Sequence, residues 1–384
     1  MTASWIMTLP SRRRLLLGAS ALPAALLLLG CGRLPFLGPE PSSCLGPDEE
    51  LPEFEDNGRK VPPGARVTPY EPSPQRWFND AGLAVSPDGA LIAAAEHPDR
   101  SMLGLTDGQG VLLWDTAEGT VVRRIPGAAE GAIAWHPDGT RLAIADRRHI
   151  AIVSVDGELL WNLIGHEDPR DGAARITALA FSPDGTQLAS TSTDGTVRLW
   201  DVSGDQCGTG HILQPDAPAP TALSYIAEGT TLVVGGTDVH GRNDPPNHLS
   251  HWDPATGERR EVLDDQERIL VDFGHSADGT LVLVAYEPAV LEVHAPDGTT
   301  STGPEVSPYT HSARLAVGAL SRIALLSPGD LLIWDRATGE ETRFEDLLLQ
   351  RICWSPDEST LYTLSEAEGI SAWDGKEWRQ FELP

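Results

Sequence analysis

From about residue 80 onward the chain repeats one local pattern seven times. A small residue, at Ala84, Ala134, Ala180, Ser224, Gly274, Ala316 and Cys353, is followed by a mostly large one: Val85, Trp135, Phe181, Tyr225, His275, Val317 and Trp354. Successive copies lie 37 to 50 residues apart. A period of that length belongs to arrays of small supersecondary units, each unable to bury its own faces and each covered by its neighbours. Several copies run on into a tight turn: Ser86-Pro87-Asp88-Gly89, His136-Pro137-Asp138-Gly139, Ser182-Pro183-Asp184-Gly185 and Ser276-Ala277-Asp278-Gly279. Pro sets φ and Gly accepts the positive φ of a hairpin, so strands are expected on either side. Aliphatic runs follow the turns, such as Gln187–Ser190 and Leu281–Val284.

A third strand is expected in each copy, and five of these end in Trp-Asp: Trp114-Asp115, Trp200-Asp201, Trp252-Asp253, Trp334-Asp335 and Trp373-Asp374. Turn-rich strands with this period and ending resemble the WD-repeat family of β-propellers. The resemblance implies an all-β fold, a seven-bladed ring of four-stranded antiparallel blades over residues 74–384. In the third copy Gly165-His166, Ser190, Asp194 and Trp200 match the family's structural tetrad. The resemblance implies that His166 links the Trp200 ring nitrogen to Asp194, a structural role and not a catalytic one. Other copies depart from the pattern. Val155-Asp156 and His294-Ala295 replace Trp-Asp, and the sixth copy lacks an Asp-Gly turn. Innermost strands converge on the axis, which would favour the small column and make Cys353 a small core residue. Glu377–Leu383 is the expected outer strand of the seventh blade, with Ala65–Tyr70 as its competitor.

The first thirty residues read as a signal peptide. Arg12, Arg13 and Arg14 precede an apolar run from Leu15 to Leu29 that ends Leu28-Leu29-Gly30-Cys31. A spanning helix needs about 20 apolar residues, and a signal-peptide core about 7 to 15. The arrangement resembles a bacterial lipoprotein signal, with Cys31 as the acylated first residue of the mature chain. The arginines after Ser11 also resemble the twin-arginine export motif, with the general secretory route as the alternative. The resemblance implies a lipid-anchored protein on the far side of the cell membrane from the cytoplasm. Residues 31–73 are rich in Pro, Gly and acids with no hydrophobic period, and are expected to be an extended tether. With Cys31 acylated, Cys44, Cys207 and Cys353 remain, so at least one is unpaired or bonded between chains. A Cys44–Cys207 disulfide is one open pairing.

Charge and motifs narrow the function. With 56 acidic and 28 basic residues, the net charge of −28 disfavours nucleic-acid binding, which needs a cationic surface. No nucleophile elbow, HExxH or phosphate-cradling loop is present, so no catalytic residue, cofactor or enzyme activity is expected. His275 is read as the lone titratable residue of the innermost columns. Two links between second and third strands are long. One, 97–107, carries Arg100, Met102 and Leu103; the other, 238–248, carries His240, Arg242, Asn243 and Asp244. Loops on one end of a rigid ring make a recognition surface, although solvent insertions also lengthen at little cost. His240, His248 and His251 do not have the spacing of a rigid metal site, and no metal is expected. The expected function is a protein-binding or assembly platform; a propeller-hosted enzyme or small-ligand sensor is the alternative.

Overall fold

In the computed structural model the apolar runs behind the tight turns become the second strands of four-stranded antiparallel sheets. The structure describes residues 43–49, 54–56, 59–61, 82–95, 110–126, 131–146, 149–166, 174–204, 207–215, 220–236, 248–264, 269–286, 289–307, 313–365 and 369–382. Three short strands come first: β1 (Ser43–Leu45), β2 (Phe54–Asp56) and β3 (Arg59–Val61), the last two pairing as a hairpin. Blade one is β4 (Leu83–Val85), β5 (Leu91–Ala95), β6 (Gly110–Asp115) and β7 (Val121–Pro126). Blade two is β8 (Ile133–Trp135), β9 (Arg141–Asp146), β10 (His149–Ser154) and β11 (Leu159–Ile164). Blade three is β12 (Ile176–Phe181), β13 (Gln187–Ser192), β14 (Val197–Asp201) and β15 (Gly208–Leu213). Blade four is β16 (Ala222–Ile226), β17 (Thr231–Gly236), β18 (His248–Trp252) and β19 (Arg259–Asp264). Blade five is β20 (Ile269–His275), β21 (Leu281–Tyr286), β22 (Val290–His294) and β23 (Thr300–Thr302). Blade six is β24 (Arg314–Val317), β25 (Arg322–Ser327), β26 (Gly329–Asp335) and β27 (Glu341–Leu347). Blade seven is β28 (Leu349–Trp354), β29 (Leu361–Ser365), β30 (Gly369–Trp373) and β31 (Trp378–Gln380).

The first strands of the blades are innermost. Each touches the first strand of the next blade, and β28 touches β4, which closes a ring of seven. Alternation along each strand supplies both faces of a blade. Ile92, Ala94, Leu112 and Trp114 face blade seven, while Ala93, Ala95, Val111 and Leu113 face blade two. Each of the seven interfaces holds its own apolar cluster. No blade buries both faces without its neighbours.

The small–large column is explained at these interfaces. The large residue of one blade rests on the small residue of the blade before it. Trp135 Nε1 donates to Ala84 O at 3.1 Å, and Trp354 Nε1 donates to Ala316 O at 3.2 Å. His275 Nδ1 lies 2.7 Å from Ser224 Oγ. A Cβ on Gly274 would stand 2.6 Å from Val317 Cγ2, so blade six occupies the space a larger residue would need. Phe181 with Ala134, Tyr225 with Ala180, and Val85 with Cys353 share the remaining three clusters. Smallness is thus set by the next blade's side chain and not only by convergence on the axis. Burial pushes the free Cys353 thiol up to about 12, which leaves it a small packing residue and not a nucleophile.

The C-terminal segment closes the ring: β31 pairs with β30 as the outer strand of blade seven. Glu382 N then donates to Gly119 O at 2.9 Å, and Arg379 Nη1 donates to Ala117 O at 2.8 Å, both in blade one. The competing segment 65–70 lies outside the described residues.

Two features were not expected. Within the stretch read as an extended tether, residues 43–45 form a strand. β1 lies antiparallel on β11, with Cys44 opposite Leu163, so blade two has five strands. An outer strand offers a row of open backbone groups, and β1 pairs with them. Cys44 is disulfide-bonded to Cys207, which precedes β15 of blade three. Both cysteines pack on the cluster between blades two and three, so the bond fastens that interface from outside.

The second feature concerns the missing turn of blade six. In blades one, three and five, the Ser of the turn donates to the Asp two residues on, at 2.6 Å each time. Blade six has no such Asp. Glu358 of blade seven supplies a carboxylate instead. It accepts from the amides of Leu320, Ser321 and Arg322, the last two at 3.1 Å. Glu358 stands where the other turns have glycine, at φ 56°, and its side chain is buried. One residue both completes its own turn and caps the turn of the preceding blade.

Candidate functional site

The blade-three tetrad is assembled, in a different order from the one expected. His166 precedes the blade, Ser190 lies on β13, Asp194 in the β13–β14 link and Trp200 on β14. Trp200 Nε1 donates to Ser190 Oγ at 2.9 Å, Ser190 Oγ lies 2.8 Å from His166 Nε2, and His166 Nδ1 lies 2.9 Å from Asp194 Oδ2. Ser190, not His166, takes the tryptophan proton. Thr196 adds a hydroxyl at 2.7 Å and an amide at 2.8 Å to Asp194 Oδ1. Burial lowers the His166 pKa against the opposing pull of Asp194, so the ring is neutral. Burial opposes the Asp194 carboxylate, but hydrogen bonds from His166 and Thr196 outweigh it and hold the carboxyl below its ordinary range. Neutral His166 with an ionised Asp194 fixes the tautomer: Nδ1–H donates to Asp194 and Nε2 accepts from Ser190. Every proton in the chain has an acceptor, and all four side chains are enclosed. The arrangement resembles a hydrolytic triad in its residue types only. Ser190 Oγ is 0% exposed and cannot meet a substrate.

The aspartates after the blade tryptophans are spent in the scaffold as well. Asp115 Oδ1 accepts from Ala117 and Glu118 amides, Asp253 Oδ1 from Ala255 and Thr256, and Asp374 Oδ1 from Lys376 and Glu377. They shape the turn into the outer strand. His275 likewise bridges blades four and five through Ser224, and burial lowers its pKa. Beyond the two columns in which His275 is singled out, the innermost strands of blades five to seven carry three charged residues. Two residues before the small column lie Gly82, Ala132, Ala178 and Ala222 in blades one to four, but Asp272, Arg314 and Arg351 in blades five to seven. The charged trio lies on three adjacent innermost strands: Asp272 is the fourth residue of β20, Arg314 the first of β24 and Arg351 the third of β28. Asp272 Oδ1 accepts from Phe273 N and Oδ2 from Leu315 N, both at 2.9 Å, which ties blade five to blade six. Burial raises the Asp272 carboxyl, and Arg314 and Arg351 pull it back. Arg314 Nη1 donates to Ala313 O at 3.0 Å. The signal was present in the sequence, one step of strand alternation away from the small column.

The long links join β5 to β6 and β17 to β18, at the end of the ring where the innermost strands begin. There Ala95 N donates to Gly82 O at 3.0 Å, and in blade four Thr221 N donates to Gly235 O at 3.0 Å. Arg100, Met102 and Leu103 of one link, and His240, Arg242, Asn243 and Asp244 of the other, lie outside the described residues, as does Cys31. Among the described residues no group of three His, Cys, Asp or Glu is placed to hold a metal ion, and no helix is long and apolar enough to cross a membrane.

The architecture defines a seven-bladed β-propeller of four-stranded antiparallel blades. Residues 157–201, the strand pairs around the tetrad, match the model of the WD domain, G-beta repeat. Among curated proteins the chain is 32% identical over 125 residues to the small ribosomal subunit protein RACK1y of Oryza sativa subsp. japonica, covering 32% of this chain and 34% of that protein. It is 29% identical over 109 residues to the COMPASS component SWD3 of Saccharomyces cerevisiae, covering 27% of this chain and 33% of that protein. The chain thus spans about a third of the length of these relatives. Among solved structures, a Kuenenia stuttgartiensis hydrazine synthase chain superposes with a TM-score of 0.64 at 13% identity, covering 81% of this chain and 99% of that one. The β-propeller domain of Myceliophteria thermophila Cps50 (Swd1) gives 0.60 at 17% identity, covering 78% and 98%. At these identities the likeness is one of fold.

Proposed function

We propose that the chain is a divergent WD-repeat propeller that works as a non-enzymatic platform for protein assembly, exported and held at the membrane by acyl chains on Cys31. The observation that carries the platform reading is the use made of the polar groups. His166, Ser190, Asp194, Glu358, His275 and the turn aspartates all serve the scaffold, which leaves a rigid ring with variable links at one end. A rigid ring presents loops with little reorganisation on binding. The names of two relatives, a ribosomal subunit protein and a COMPASS component, place those proteins in larger assemblies. The anchor rests on the Leu28-Leu29-Gly30-Cys31 ending alone. Two acyl chains, at about 0.8 kcal/mol per buried methylene, hold durably where one does not.

Two experiments test the halves separately. Metabolic lipid labelling should mark the wild type and not Cys31→Ser; equal labelling would end the lipoprotein reading. Affinity purification from membranes, with mass spectrometry, should recover a reproducible partner set. Replacing 97–107 and 238–248 with short Asp-Gly-Thr links should remove those partners and leave the ring folded. Unchanged recovery would move the binding surface away from that end.

A further inference from the structure

We propose that a cavity between blades five and six binds an alkylammonium group, a cationic head on an aliphatic stem, carried by a small organic amine or by a lysine side chain of a partner. The site goes beyond the platform reading and does not depend on it. Its origin is the short outer strand of blade five. β23 has three residues against seven in β27, and it pairs only with Glu292–His294 of β22. Gly303 N donates to Leu291 O at 2.8 Å, and there the chain leaves the sheet for blade six. The crossing needs a glycine: a Cβ would stand 2.8 Å from Leu291 Cδ2 and 3.0 Å from Trp334 Cζ3. Val306 then packs into the cluster between the two blades, and Arg343 of β27 donates to Glu305 O at 2.8 Å. With the link pinned at both points, a cavity of about 430 Å³ remains between it and blade six. Small-ligand sites occupy about 300–1,000 Å³, so this one has room for a ligand. Its rim is open. Glu305, Arg343 and Glu345 are exposed, and a Cβ on Gly329, in the turn between Ser327 and Asp330, would meet nothing within 4 Å.

The lining selects the chemistry of the ligand. Leu325 and Leu332 pair across β25 and β26 and give an apolar wall. Ser327 and Asp330 are the next pair on the same face. Ser327 is 5% exposed and lines the cavity, and its hydroxyl has no hydrogen-bond partner among the described residues. A buried hydroxyl left unpaired carries a cost that a donor on a ligand removes. Glu305 and Glu345 add carboxylates from the link and from β27. The carboxylates of Asp330, Glu305 and Glu345 have no hydrogen-bond or ion-pair partner among the described residues. The one cation of the lining is already spent: Arg343 pairs with Glu341 at 2.9 Å besides its bond to Glu305 O. The site thus offers acceptors beside an apolar wall. An ammonium head has three donors and no acceptor, which answers the first, and an aliphatic stem covers the second. An anion would meet three carboxylates and a compensated guanidinium. The net charge of −28 attracts every cation, but that field fades over about 8 Å at physiological ionic strength. Selection among cations therefore falls to Ser327, the local carboxylates and the leucine wall.

Saturation-transfer NMR titrations of the full chain at physiological ionic strength test the site. Cadaverine and the peptide acetyl-Gly-Lys-Gly-amide carry the expected chemistry. Pentanediol and the same peptide with its lysine acetylated keep the stem and lose the charge, and methylammonium keeps the charge and loses the stem. Cadaverine or the lysine peptide should bind about tenfold or more tighter than these controls. The tighter of the two names the source, a free amine or a side chain of a partner. Asp330→Asn with Glu345→Gln should weaken that binding by about tenfold. Ser327→Ala keeps every charge and should give a smaller loss. Glu118→Gln with Glu258→Gln removes as much charge from exposed positions in blades one and four, and should change nothing. If Asp330→Asn disturbs the fold, Glu305→Gln with Glu345→Gln, both exposed, takes its place. Charged ligands that bind no tighter than the controls overturn the proposal, as does equal binding by the two folded double variants. Partner recovery from membranes is read separately. Amine binding with no partner recovered leaves the site standing and the platform fallen; partners recovered without amine binding do the reverse.

Discussion

Trp114 and Trp200 hold the same register in blades one and three, opposite Ile92 and Leu188. Two residues along the second strand, blade three has Ser190 and blade one has Ala94. The consequence is visible at the indole: Trp200 donates to Ser190, whereas Trp114 Nε1 is buried with no partner among the described residues. Ala94→Ser should supply that acceptor and stabilise the ring by about 0.5–1.5 kcal/mol, the usual net worth of one hydrogen bond. A lower denaturant midpoint than wild type would show that the hydroxyl does not reach. His166 makes a prediction in pH. It is buried neutral, with its folded pKa below the ordinary 6.5. The unfolded chain therefore binds more protons once pH falls below about 6.5, and stability should decline through that window. Asp194, held below its ordinary value, keeps its own contribution until pH falls lower still, below about 3.8. His166→Asn should be less stable at pH 7.5 and lose less between pH 7 and 5. His275, also lowered by burial, accounts for the slope that remains. Parallel slopes for variant and wild type would overturn the protonation assignment.

Elements in this ring are held by groups borrowed from neighbouring blades, and Glu358 is the clearest case. Its carboxylate caps the turn that leads into β25, while its own backbone sits at φ 56°. Glu358→Ala should cost about 1–3 kcal/mol through the uncapped amides, because buried donors left unmade carry that penalty. Glu358→Gly should cost about 1 kcal/mol less, since glycine adopts positive φ freely. Equal midpoints for both variants would mean that the backbone conformation carries no strain. What the sequence made legible follows from the same distinction. The small–large column, the Pro-Asp-Gly turns and the Trp-Asp strand ends are local, so seven repeats could be read directly and the residues of the tetrad through the family resemblance those patterns carry. The bonding order within the tetrad could not, because a serine hydroxyl both gives and accepts. Glu358 was not legible because it occupies a glycine position and acts on a turn 36 to 38 residues earlier. β1 was not legible either: three residues have no period, and its partner strand is set by an open edge elsewhere. The charges at Asp272, Arg314 and Arg351 stand in the sequence two residues before the small column, where the other four blades carry Gly or Ala.

At the scale of the whole molecule the ring either closes or leaves two blades with an open face. Closure falls to the last residues of the chain. Phe381 is 2% exposed and packs between blades, against Ile92, Ala94, Leu112 and Trp114 of blade one and Tyr362, Ile370 and Ala372 of blade seven. Its ring also lies against Gly119, where a Cβ would come within 3.2 Å, so a larger residue there would press on it. Phe381→Ala should cost about 3–5 kcal/mol, as large-to-small changes in a core do. The loss should appear as one earlier transition of the entire ring, because each interface supports two blades and a breach at one is felt by both. Removal of residues 350–384 extends the argument: it strips blades six and one of a covering face and should abolish the sharp transition. The two variants discriminate between a cooperative ring and a row of independent blades. In the second case Phe381→Ala would split unfolding into a weak early step, from blades seven and one, and a later step at the original temperature. Calorimetry of the two variants reads the difference, and a retained high-temperature step in either one would overturn cooperativity of the ring.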